Sequence, residues 1–127
     1  MGATRELSEF ISGLQYEQLP SEVITKAKEC VLDQLGVQLV ASQLEWSRIA
    51  YSTMKDLGGS PESRIVNYGD KTSAPCAAFV NGTFGHGCEF DDLGPKVGRG
   101  HPGCVVIPAA IALCEKGHAS GKDLITA

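Results

Sequence analysis

Leu7, Phe10, Ile11 and Leu14 recur at the three- and four-residue intervals of an amphipathic helix, and Thr4 ahead of them is its expected N-cap. A longer pattern opens with Pro20 and Ser21. Val23, Ile24, Ala27, Cys30, Val31, Leu35 and Leu39 fall mostly on one side of a helix of about five turns within Leu19 to Ala41. Gly36 inside it costs about 1 kcal/mol unless a neighbour packs closely there. Trp46, Ile49, Ala50 and Leu57 predict a third helix, closed by Gly58 and Gly59.

Between Ser60 and Thr72 the helical period stops. The run SRIVNYGDK combines β-branched residues with a Gly-Asp turn and predicts one short strand or extended link. Ser73 then caps a fourth helix, APCAAFVNGTFGH, with Pro75 in the first turn where its missing N–H does no harm. Its many small residues predict close packing, and it carries Asn81 and His86 toward a glycine-rich segment. After that segment, VVIPAAIALCEKG reads as a mostly apolar, buried fifth helix with Pro108 near its first turn and Gly117 as its stop. Ser120 to Asp123 reads as a capping box that starts another apolar face, and the sequence looks cut in mid-helix at Ala127. The expected fold class is all-α, one helical domain over 1–127.

Composition narrows the classes of function. The 127 residues are 43% hydrophobic and 20% charged, an ordinary globular balance for one domain. A net charge of -4 and a pI of 5.3 argue against a nucleic-acid partner, which needs a concentrated basic surface. Five cysteines, an odd number without a CxxC pair, point to a reducing compartment. The opening MGATRELSEF has neither the apolar run of a signal peptide nor that of a membrane span, so no membrane partner is expected.

The chemistry concentrates in HGCEFDDLGPKVGRGHPGC, His86 to Cys104. If Glu89 to Asp92 is extended or a tight turn, Glu89 and Asp91 point one way into a cleft, while Phe90 anchors on the other side with Asp92. Crowded acids resist simultaneous ionisation, which makes a proton donor or base; a solvated acidic loop or a set of backbone caps fits the triplet as well. Pro102 restricts His101 to extended backbone, and with Lys96 and Arg99 nearby His101 can bind a carboxylate or move a proton at carbon. A structural histidine at a helix entrance is the alternative. His86 reads as a helix-end residue or a partner of an acid, and His118 as part of a surface turn. His86, Cys88, His101 and Cys104 are zinc-competent, but their spacing matches no finger or ribbon, so no metal is expected and the cysteines read as small hydrophobes. No GxGxxG, GxxxxGK[ST] or GxSxG motif is present.

The runs FVNGTFGHGCEFDD, HPGCVVIPAAIALCE and SGKDLITA, together with Leu19 to Val37, resemble the N-terminal part of the MmgE/PrpD family. Its members include 2-methylcitrate dehydratase, cis-aconitate decarboxylase and iminodisuccinate epimerase. The resemblance implies a truncated helical N-terminal domain of a homodimeric, cofactor-free enzyme several times this length. The implied substrate is a small di- or tricarboxylate, handled by dehydration or decarboxylation, with epimerisation or a non-catalytic dimerisation module as alternatives. It implies Glu89, Asp91, Asp92 and His101 as catalytic residues, and Asn81, His86, Lys96 and Arg99 as substrate-binding ones. Glu89 stands where relatives often have aspartate. Because further site residues in relatives lie downstream, the 127-residue chain is expected to be inactive alone. The expected compartment is the cytoplasm, or the mitochondrion in a eukaryote.

Overall fold

The computed structural model describes residues 2–94 and 100–127. These residues form α1 (Ala3–Gly13), α2 (Ser21–Ala41), α3 (Glu45–Leu57), β1 (Ser63–Arg64), β2 (Lys71–Thr72), α4 (Ala74–Gly85), α5 (Gly103–Gly117) and α6 (Gly121–Thr126). A 3₁₀ turn at Tyr16–Gln18 precedes α2. The helical class is as expected. The single strand is not: β1 and β2 pair antiparallel, Ser63 with Thr72 and Arg64 with Lys71. Asn67 and Gly69, with φ of 68° and 74°, take the left-handed conformations that turn the chain between them.

Several boundaries move for identifiable reasons. Gly2, not Thr4, occupies the N-cap of α1, so Thr4 lies in the first turn and its carbonyl accepts a hydrogen bond from Ser8 Oγ at 2.8 Å. The fifth helix begins at Gly103 rather than Val105, which puts Pro108 in its second turn. There the proline lacks the N–H that would meet the Cys104 carbonyl. That carbonyl instead faces Gly82 of α4, so closely that a Cβ on Gly82 would come within 2.9 Å of it. Gly117 stays helical, and His118, with φ 52°, makes the left-handed cap while the Ala119 N–H donates to Cys114 O at 2.9 Å. The capping box at Ser120 and Asp123 forms as read: each side chain bonds the other residue's backbone N–H.

The buried faces differ more. Along α2 the buried residues are Gln34, Val37, Gln38 and Ala41, while Val23 and Leu39 of the predicted stripe are exposed. On α3 only Ser47 is buried, and Trp46, Ile49 and Leu57 face outward. No residue of α1 is buried, and its Phe10 is 63% exposed. On α5, Val105, Val106 and Leu113 are exposed, and Gly103, Pro108 and Ala112 are inside.

What is buried centres on α4. Ile65, Val80 and Phe84 form one cluster, covered by Tyr51, Met54 and Tyr68; Ala74, Ala77 and Ala112 form a second, where alanines let α4 and α5 approach. The hairpin is stitched to α5: Ser63 Oγ donates to Ala112 O at 2.6 Å, and Arg64 pairs with Glu115 at 2.8 Å. No helix among the described residues is long and apolar enough to cross a membrane.

Candidate active site

α4 ends at Gly85 and α5 starts at Gly103, so the close packing of these helices brings His86 and His101 together. Their ring centroids lie 4.7 Å apart, with the planes tilted 58°. Asp91 sits between them with its side chain fully shielded from solvent. His86 Nδ1 is 3.1 Å from both Asp91 carboxylate oxygens, and His101 Nδ1 is 3.4 Å from Oδ2. The first contact is a hydrogen bond; the second is in ion-pair range but leaves the buried His101 Nδ1 without one. Asp91 thereby orients His86 with Nδ1 as the donor and Nε2 outward, where Glu89 Oε1 lies 3.9 Å away.

The three acids thus have three different situations. Asp91 is the buried one. Glu89, with φ 52° and a side chain 78% exposed, faces solvent. This left-handed residue breaks the expected alternation, so Phe90 is 75% exposed and anchors nothing among the described residues. Asp92 accepts the Gly103 N–H on Oδ1 at 2.9 Å, using its carboxylate to hold the first turn of α5 beside His101.

Asn81 stands apart from this group. It is buried on α4, where its Oδ1 accepts from Val66 N–H at 3.0 Å and its Nδ2 donates to Arg64 O at 2.9 Å. Its amide therefore fastens the hairpin to α4, at the edge of a cavity of about 410 Å³ that Gln38, Arg64 and Pro108 also line. Asn81→Ala is expected to leave two backbone groups unpaired and to lower unfolding stability by about 2–3 kcal/mol, read by urea denaturation. A wild-type midpoint would remove that assignment. Lys96 and Arg99 lie outside the described residues.

His86, Asp91 and Cys104 offer nitrogen, oxygen and sulfur atoms within 4.8 Å of one another. Cys88 and His101 of the zinc-competent set are not part of this group. Burial, and next the neighbouring Asp91, push the Cys104 thiol up to about 11, so it keeps its proton at neutral pH. The carboxylate of this group is already hydrogen-bonded by the His86 imidazole.

Sequence reading passed over Gln34. It is 1% exposed and lies behind the site, against Gly85 and Gly103. The available signal was two glutamines, Gln34 and Gln38, four residues apart along a largely apolar helix.

Residues 5–127 match the family described as MmgE/PrpD N-terminal domain, and the chain belongs to this family. Among curated relatives, it is 30% identical over 131 residues to a cis-aconitate decarboxylase-like protein of Aspergillus oryzae, covering 98% of this chain and 27% of that one. It is 30% identical to cis-aconitate decarboxylase of Aspergillus terreus, covering 99% and 26%, and 32% identical to that of Homo sapiens, covering 98% and 26%. The chain spans about a quarter of the length of these relatives.

Proposed function

We propose that this chain supplies one wall of a lyase site for a small di- or tricarboxylate of the cis-aconitate or 2-methylcitrate kind. The observation that carries this reading is the buried Asp91 held between two imidazoles, at the junction of the two best-packed helices of a family-matched domain. That the relatives are cis-aconitate decarboxylases favours decarboxylation within that class. When a carboxylate leaves as CO2, the electron pair of the broken C–C bond stays on carbon and takes a proton. In its imidazolium form His86, with Nδ1–H donated to Asp91, carries a second proton on the outward Nε2 and would deliver that one, becoming the neutral Nδ1–H tautomer; His101 would be the second proton carrier. The more exposed Glu89 borders the same Nε2 and would influence which substrates fit. Asp92 would act through α5, by holding His101 in place.

Such a site also needs cations for the substrate carboxylates. Lys96 and Arg99 are the nearest in sequence, and in the whole protein other segments would add more. The outward apolar positions of α1 and α3, among them Phe10 and Trp46, supply surface for further chain or for a homodimer.

The reading is tested by titrating the 127-residue chain with cis-aconitate, 2-methylcitrate and acetate while following the imidazole signals of His86 and His101 by NMR. The multicarboxylates are expected to perturb both rings at millimolar concentration, and acetate to perturb neither. Perturbation centred on other residues, or none at all, would sink the proposal.

A further inference from the structure

The geometry points to Gln34 as a positioning residue for the imidazole pair, its buried carboxamide lying between Gly85 and Gly103 and setting how His86 and His101 face one another. Gln34 projects from the middle of α2, and two glycines on other helices make room for it. A Cβ on Gly85 would overlap Gln34 Nε2 and come within 3.0 Å of its Cδ. A Cβ on Gly103 would come within 3.0 Å of Gln34 Oε1 and overlap Asp92 Oδ1. The carboxamide therefore touches the residue before His86 at the end of α4, and the residue after the His101–Pro102 pair at the start of α5.

Packing alone gives no reason for a glutamine here. Its Nε2 is buried without a hydrogen-bond partner, a costly state that a methionine of similar length avoids. The carboxamide nevertheless spans from one glycine to the other, its Nε2 where a Cβ on Gly85 would fall and its Oε1 within 3.0 Å of one on Gly103. The polar residue is thus a loss for the fold and a gain for the geometry behind the site. Gln38, one turn along, is equally buried and its Nε2 is also unpartnered, but it borders the cavity beside the hairpin rather than the glycine slot.

This inference rests on His86 and His101 being the reacting pair, but its test uses no ligand. In the wild-type chain, long-range ¹H–¹⁵N spectra are expected to show His86 protonated on Nδ1, the nitrogen facing Asp91. Gln34→Met is expected to melt no lower than wild type and yet to lose that signature, with His86 shifting toward the mixed tautomers of a free imidazole. Gln38→Met, the control, is expected to keep both the fold and the signature. Wild-type imidazole signals in the Gln34→Met chain would overturn the inference. So would an unfolded Gln34→Met chain, which makes Gln34 a fold residue, or an equal disturbance from Gln38→Met. A failed carboxylate titration would count against the proposed function and leave these outcomes readable.

Discussion

Asp91→Ala is expected to destabilise the chain by about 2–3 kcal/mol and to abolish the response of both imidazoles to multicarboxylates. The carboxylate is shielded from solvent and bridges two rings, so its removal strands the His86 Nδ1–H that it accepts from at 3.1 Å and takes away the negative charge beside His101. The loss counts more than an ordinary surface hydrogen bond because the acceptor is a fully shielded carboxylate, although the His86 ring, 43% exposed, keeps some access to water. Glu89→Gln provides the contrast. At 78% side-chain exposure it is expected to change stability by no more than about 0.5 kcal/mol, while altering which carboxylates bind. Urea denaturation and the NMR titration read both effects. An Asp91→Ala chain with wild-type stability and His86 signals would show that the bridge does not hold the rings.

The difference between these two acids could not be read from EFDD. Three carboxylates in four residues are equivalent as letters; one backbone dihedral, φ 52° at Glu89, turns the alternation so that Asp91 goes in and Glu89 goes out. Two helix starts were more legible: Ser120 with Asp123 forms a full capping box at α6, and Ser73 holds the N-cap position of α4, although its side chain caps nothing and Glu62 accepts the Ala74 N–H at 3.0 Å. Buried faces were less so. α2 is apolar on more than one side, and the side that goes in carries Gln34 and Gln38 because it meets the glycines and small residues of α4 and α5. That choice belongs to the tertiary contacts, which periodicity within one helix does not encode. The same holds for Asn81: its place in the motif marked it for the site, whereas its neighbours in space are the backbone groups of the hairpin.

Glycine substitutions separate local preference from tertiary demand most sharply, and Gly103→Ala is expected to destabilise the chain by about 3 kcal/mol. Its added methyl would overlap Asp92 Oδ1 and crowd Gln34 Oε1, while the same Asp92 oxygen is accepting the Gly103 N–H at 2.9 Å. The methyl cannot be accommodated without moving that carboxylate, and moving it releases the first turn of α5 together with His101. A loss of multicarboxylate response should therefore accompany the loss of stability. Gly36→Ala has the opposite expectation. Nothing lies within 4 Å of a Cβ built there, so the substitution removes only the flexibility penalty of a mid-helix glycine, and α2 gains about 1 kcal/mol. Thermal melts of the two variants should move in opposite directions from wild type. If both rise, the contact between Gly103 and Asp92 is loose enough to yield, and Asp92 does not position His101.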